Sequence, residues 1–454
     1  MSQPRPAPKR AAVPLALAAL ATAPGVYLGA TGTHLAPPLA AALFGIAVIG
    51  AAFVLSWVAE AIQVDISAGL AITVLALIAV LPEYAVDFVF ASEGGNAFAE
   101  HGPTCVPPGS PDHSSCGLAL ANMTGANRIL VGVGWALVVL LAAWRAHRDR
   151  LRSGDHRKAR HASETRVSLD RTDAVPLAFL GLATLYSLTL PLRHSITIVD
   201  AIVLVGIFAL YAIRVAKAPA GEPDLEGVAA LLGGQPKARR RVSCVALFAF
   251  AAAVILLVAE NFAHALVQTG TDLGVSQFFL VQWVAPLASE APELLVAGLY
   301  AWRLKTTDAL ATLVSSKVNQ WTLLVGTLPV VFAVAAGSTA GLPIDAAQRD
   351  ELLLTAAQSL FAVALLIRLS ITVRGALVLL GLFLAQFALT ALLPASIKGV
   401  EIVALSIVYL VLAVGVAVHK RADLRTLVRD GFRTPYRDLA HHEESPVREK
   451  VRGQ

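Results

Sequence analysis

Apolar residues run along this chain in long, evenly repeated blocks, and polar and charged residues collect in the gaps between them. Windows of about 19 residues, the length a helix needs to cross hydrocarbon, predict helices near 12–30, 37–60, 66–91, 117–144, 174–191, 196–216, 242–266, 275–302, 308–336, 352–370, 374–393 and 399–419. The pattern therefore predicts an all-α polytopic membrane protein with about 12 transmembrane helices. Composition agrees. Only 15% of the 454 residues are charged and 56% are hydrophobic, whereas a soluble domain carries about 25% charge.

The net charge of +5 does not point to nucleic acid, because the basic residues fall mostly in the gaps, where they act as a topology signal. Arg145, Arg148, Arg150, Arg152, Arg157, Lys158, Arg160, Arg166 and Arg171 mark segment 145–173 as cytoplasmic. Alternation then puts both termini and the segments around Lys217, Lys237, Arg303, Arg368 and Lys420 on the same side. The loops at 92–116, 267–274 and 394–398 fall outside, and the first has no Lys or Arg. A plasma-membrane location is expected, with membrane lipid and inorganic cations as partners, no nucleic acid and no cofactor. Arg5, Lys9 and Arg10 before an Ala/Leu run suit a retained first helix, with a signal peptide as the alternative. Cys105 and Cys116 share the outside loop, where a disulfide and two free thiols are both open. Cys244 reads as a small core residue, and no Cys/His spacing suggests a resident metal.

Comparing the chain with itself reveals related halves. Val58, Ala59 and Glu60 recur as Val258, Ala259 and Glu260; Leu81, Pro82 and Glu83 recur as Ala291, Pro292 and Glu293. The helices that follow, near Asn122–Trp135 and Thr312–Thr327, are both rich in Gly, Ser, Thr and Asn. Repeat 1 spans 37–216 and repeat 2 spans 242–393, each with five helices, so the second enters the membrane inverted. Residues 1–36 form an N-terminal basic segment with an extra helix, 217–241 a cytoplasmic linker, 394–419 an extra C-terminal helix and 420–454 a cytoplasmic tail. Pro82 and Pro292 each remove a backbone donor and are expected to break or kink their helices.

An ionisable group inside a span costs about 2.5–3.5 kcal/mol on insertion scales, so it marks a functional site by default. Glu83 and Asp87 lie four apart on one helical face, and Glu290 and Glu293 three apart on another. The antiparallel relation of the repeats is expected to bring both pairs together at the membrane centre. Oxygen ligands of high charge suit Ca²⁺. Asn122, Asn127, Ser289, Ser315, Ser316, Asn319 and Gln320 supply further oxygens, and Arg128 and Lys317 place two cations on the following helices. Four ionised carboxylates against two fixed cations leave a charge of −2, which one Ca²⁺ or two protons would neutralise. Glu60 and Glu260 are candidates for a gating or proton path, with solvated helix ends as the plainer reading, and His264 could relay protons from Glu260.

At the Pro-Glu helices and their small-residue successors, the chain resembles the cation/calcium exchanger superfamily of sodium/calcium and proton/calcium antiporters. That family carries Gly-Thr-Ser-x-Pro-Glu on one helix and Gly-Ser-Asn on the next, in each of two inverted repeats. Here the first string reads Ile78, Ala79, Val80, Leu81, Pro82, Glu83 in one half and Ala288, Ser289, Glu290, Ala291, Pro292, Glu293 in the other; the second reads Gly125, Ala126, Asn127 and Ser315, Ser316, Lys317. The resemblance implies that Glu83 and Glu293 are the central Ca²⁺ ligands, with Asn127, Ser289, Ser315 and Ser316 around the cation. Hydroxyls of the family pattern are missing at Ala79, Val80 and Ala126, and an ammonium replaces an amide at Lys317. A fixed charge in a sodium subsite favours proton coupling, and Glu60 and Glu260 resemble the acids of the proton-coupled branch. The expected function is antiport of Ca²⁺ against H⁺ or Na⁺ by alternating access. Na⁺/H⁺ or other cation/proton exchange is the alternative, and a transport-inactive scaffold or an intramembrane enzyme the alternatives of another class. No HExxH or GxSxG string supports the enzyme.

Overall fold

A computed structural model describes residues 8–62, 64–65, 81–106, 114–152, 166–218, 225, 227–275, 277–393 and 397–440. Ile78, Ala79 and Val80 lie outside the described residues. Among the described residues, nine helices are long and apolar enough to cross a membrane: Ala12–Thr31, Pro37–Ile62, Cys116–Arg148, Arg171–Leu192, Ile198–Val215, Lys237–Leu273, Thr306–Ala336, Val373–Thr390 and Gly399–His419. Each falls on an expected span. Helix Ala346–Leu365 starts earlier than the expected 352–370 and carries Arg349, Asp350 and Glu351 in its first two turns.

The chain divides into two compact units. The first comprises 1–123, 220–292 and 331–338. Its core is built from small and branched side chains, among them Ala18, Ala51, Val54, Leu55, Val58, Ala59, Val254, Ile255 and Ala259. Lipid gives little hydrophobic drive between helices, so close backbone approach has to supply contact. Gly50 provides it: a Cβ there would stand 2.6 Å from the Ala18 carbonyl oxygen. The linker between the halves is ordered where helix Gly227–Gly233 seats Val228 and Leu232 in this core. Its neighbour Arg240 forms a fork on Asp65, Nε to Oδ2 at 2.7 Å and Nη2 to Oδ1 at 2.8 Å.

Two expected outside loops are shorter than 92–116 and 267–274. Helix Leu81–His101 continues until Gly102 and Pro103, because the intervening Ala and Glu residues favour helix. Gly95 is tolerated within it as a close contact, since a Cβ would lie 2.6 Å from the Phe332 carbonyl oxygen. Helix Lys237–Leu273 ends only at Gly274, whose left-handed conformation caps it. Cys105 and Cys116 form a disulfide. Of the expected break or kink at Pro292, a break does not occur: helix Gln277–Trp302 runs through it, as spans allow when neighbours satisfy the freed group. Pro82 is the second residue of its helix as described.

The second unit comprises 124–219, 293–330 and 339–454. It holds two short antiparallel ladders. Arg166–Ser168, ahead of helix Ala174–Ser187, pairs with Ser370–Thr372, ahead of helix Val373–Leu392. Ser195–Ile196, ahead of helix Ile198–Val215, pairs with Leu342–Pro343, ahead of helix Ala346–Leu365. The partners are interchanged between the two ladders. The segment after Lys420 includes a docked helix, Arg421–Phe432. Arg171 donates to Asp430 Oδ2 at 2.9 Å, and Arg214 donates to the carbonyl oxygens of Gly431 and Asp430.

The Arg240 hydrogen bond holds the Asp65 carboxyl below the usual aspartate range, with further pull from the Arg240 and Arg241 charges against a smaller burial effect. A depressed carboxyl contributes stability that is complete above its unfolded pKa and is lost as pH falls through the folded value. Asp65→Asn should therefore destabilise the chain at pH 7 by about 1.5–3 kcal/mol, the scale of a charged hydrogen bond. Thermal unfolding across pH should show the two proteins converging as pH falls below about 4.

Candidate functional site

In the first unit, Glu83 and Asp87 sit one turn apart on helix Leu81–His101, both buried. Asn122 Nδ2 donates to Asp87 Oδ1 at 2.6 Å. Asp87 Oδ2 and Asn122 Oδ1 are buried acceptors that meet no donor among the described residues. A bare buried acceptor is costly, and the same oxygen is suited to a proton or a hard cation. Ser289 and Glu290 are buried on helix Gln277–Trp302, with the Ser289 hydroxyl turned back to the Pro286 carbonyl oxygen at 3.3 Å.

In the second unit, Ser316 Oγ donates to Glu293 Oε2 at 2.6 Å. Lys317, 0% exposed, donates to Asn127 twice: to the backbone oxygen at 2.5 Å and to Oδ1 at 2.6 Å. Its ammonium also lies 5.4 Å from the Trp321 ring centroid, a favourable cation–π arrangement. Ser315 instead hydrogen-bonds Tyr211, so the two adjacent serines face different partners. Asn319 and Gln320 are buried at the end of the same helix.

Two π-helical segments fix these side chains locally. Leu130–Trp135 follows helix Ser115–Ile129, and Gln320–Leu324 follows helix Thr306–Asn319. A π turn disturbs the i→i−4 ladder and opens carbonyls just before it to other donors. The Asn127 carbonyl receives Lys317, the Arg128 carbonyl receives Gln358 Nε2 at 3.3 Å, and the Val318 carbonyl receives the Thr322 hydroxyl at 2.6 Å.

The charge balance drawn from sequence needs one correction. Arg128, 1% exposed, pairs with Glu351 of helix Ala346–Leu365, Nη1 to Oε2 at 2.6 Å. Glu351 lies one residue before the expected span 352–370, so one of the two cations is matched by an acid outside the −2 sum. A signal was present: Glu351, Thr355 and Gln358 recur at helical spacing, and all three are buried. Glu260 and His264 are also placed differently. They lie within helix Lys237–Leu273 rather than at its end, and His264 Nε2 stands 3.2 Å from Glu93 and 3.8 Å from Glu260. The Glu260 side chain is 71% exposed. Glu60 is half-buried on helix Pro37–Ile62.

The family model for sodium/calcium exchanger protein matches residues 37–217 and 243–418, well over half of the chain. The chain belongs to the sodium/calcium exchanger family. The exchanger is thus a transporter and not an enzyme. It is similar to a crystal structure of an H⁺/Ca²⁺ exchanger, CAX, at 37% identity and TM-score 0.80, covering 93% of this chain and 99% of that one. A structure of native YfkE shares the fold at 15% identity and TM-score 0.56, over 87% of this chain and 99% of that one. No curated protein gave a match.

The Arg128–Glu351 pair gives the exchanger a stability test. Glu351→Gln strips the buried guanidinium of that carboxylate and should destabilise by about 3–5 kcal/mol, whereas Arg128→Met with Glu351→Met should recover most of the loss. A thermal-unfolding double-mutant cycle in detergent measures both.

Proposed function

We propose that this exchanger carries Ca²⁺ across the membrane in exchange for H⁺, by alternating access at a midplane carboxylate site. The observation that carries the reading is a cluster of oxygens within each unit, on a Pro-Glu helix and the helix that follows it: buried Glu83, Asp87 and Asn122 in the first, half-buried Glu293 with Ser316 in the second. Glu83 and Glu293 are assigned as the central cation ligands. Asp87, Glu290, Asn122, Asn127 and Ser316 serve as further oxygens. Ser289, Ser315, Asn319 and Gln320 belong to the same helices and complete the ligand set of the proposal. The inverted-repeat relation is supported by the π segments that follow helices Ser115–Ile129 and Thr306–Asn319, and by the interchanged ladders.

Coupling to protons rests on Lys317. Its ammonium sits on the Asn127 oxygens, so a permanent cation already takes acceptors that a sodium ion would need. The similarity to an H⁺/Ca²⁺ exchanger points the same way. A desolvated carboxylate holds a proton more readily than one in water, so a proton and a divalent cation compete for the same oxygens. Loading one releases the other. The basic segment 145–173 is assigned to the cytoplasmic side together with both termini. Sodium coupling is the second reading, carried by the family membership itself.

Proteoliposome uptake tests this. Radiolabelled Ca²⁺ should accumulate under an imposed pH gradient but not under a Na⁺ gradient, and Glu83→Gln and Glu293→Gln should each reduce uptake to background. Uptake driven only by Na⁺ would reverse the coupling assignment, and unimpaired mutants would remove the site. Lys317→Ser should make uptake sensitive to Na⁺, read as inhibition of pH-driven flux by added NaCl against a choline chloride control.

A further inference from the structure

In the second unit, a cavity of about 180 Å³ is lined by Arg166, Leu365, Arg368, Ser370, Thr372 and Lys420, beside the ladder Arg166–Ser168 with Ser370–Thr372. One water takes about 30 Å³, so a tetrahedral oxyanion fits. Its position along the chain is defined by two spans: Thr372 directly precedes Val373–Thr390, and Lys420 directly follows Gly399–His419. The cavity therefore lies at the ends of two helices long and apolar enough to cross a membrane, where lipid headgroups would meet them.

Three cations meet here against one acid. Arg368 Nε donates to Asp423 Oδ2 at 2.7 Å, which leaves its Nη groups without an acceptor among the described residues. Lys420 Nζ donates to the Leu365 carbonyl oxygen at 2.9 Å and to that of Ala364 at 3.5 Å, and an ammonium has a third hydrogen to give. The Arg166 guanidinium is exposed and meets no acceptor among the described residues. Ser370 and Thr372 also line the cavity, with Ile371 and Gly375, and Thr372 Oγ1 already accepts from the Gly375 amide at 3.1 Å. Burial and the Arg368 and Arg166 charges outweigh the attraction of Asp423 and push the Lys420 ammonium below its ordinary pKa. An added anion would relieve that repulsion. Planar guanidiniums are matched to phosphate oxygens in pairs, and the lysine supplies a point charge.

We propose that this pocket binds a phosphate group, supplied by an anionic lipid headgroup or by free phosphate. Neither the family motifs nor the carboxylate site involves these residues. An anion there would tie the strand at 166–168, the 373–392 helix and the docked segment after Lys420 together from one point.

The full chain in nanodiscs tests it with two probes. Native mass spectrometry counts phosphatidic acid retained from discs of phosphatidylcholine doped with it, and unfolding midpoints in pure phosphatidylcholine discs report inorganic phosphate against matched chloride. Wild type should retain phosphatidic acid over phosphatidylcholine, and Arg166→Gln and Arg368→Gln should each weaken retention about fivefold, the weight of one basic residue near an anionic surface. Arg166→Gln removes an exposed group and should keep the wild-type midpoint in phosphatidylcholine alone, whereas Arg368→Gln also loses the Asp423 bond, so its retention is read against its own midpoint there. A midpoint rise with inorganic phosphate, lost in both variants and without phosphatidic acid preference, assigns the same site to the free anion. Equal behaviour of wild type and both variants toward both probes, or no binding of either, overturns the proposal.

Discussion

A charge enclosed by membrane-crossing helices has to find its countercharge in the protein or in what the protein carries. Water is too distant to screen it, and hydrocarbon offers nothing. The exchanger meets this constraint in two ways. Arg128 meets a carboxylate of the protein itself, Glu351 at 2.6 Å. Asp87 is only half satisfied among the described residues, with Asn122 on one oxygen and no donor on the other. An ion pair within the protein holds structure, whereas an open acceptor invites a cargo. Lys317 belongs between these cases: a fixed ammonium stabilised by neutral oxygens of Asn127 and by the Trp321 ring.

Backbone geometry makes such arrangements affordable. The two π segments release carbonyls at Asn127, Arg128 and Val318 to side-chain donors, so the helices bring their own acceptors into the membrane. Small residues then allow close approach; Gly132 is an example, since a Cβ there would stand 2.8 Å from Gln358 Nε2. The π turns and tight helix contact thus serve one purpose, placing oxygens where a charge needs them.

Much of this was legible from residue order. Spans show as uninterrupted apolar runs, and Glu83, Asp87, Glu290 and Lys317 stand out inside them because charge there is rare. Glu351 escaped because polar Gln348, Arg349 and Asp350 precede it, so a hydropathy window starts the span one residue after it. The π segments have no compositional mark: Leu130–Trp135 reads like any apolar helix. The extension of helix Lys237–Leu273 beyond residue 266 was hidden because Gln268, Thr269 and Thr271 look like loop residues, while their side chains serve the helix itself; Thr269 returns its hydroxyl to the Ala265 carbonyl at 2.6 Å. Local chemistry was visible and distant pairing was not, since Arg128 and Glu351 are joined only by folding.

The central claim is that Ca²⁺ and protons are alternative neutralisers of the same buried oxygens. Calorimetric titration of the purified exchanger with Ca²⁺ in two buffers of different ionisation enthalpy measures proton release directly. Binding accompanied by net proton release, diminished in Asp87→Asn and insensitive to added Na⁺, is the result predicted. Ca²⁺ binding with no proton release, weakened instead by Na⁺, would contradict it.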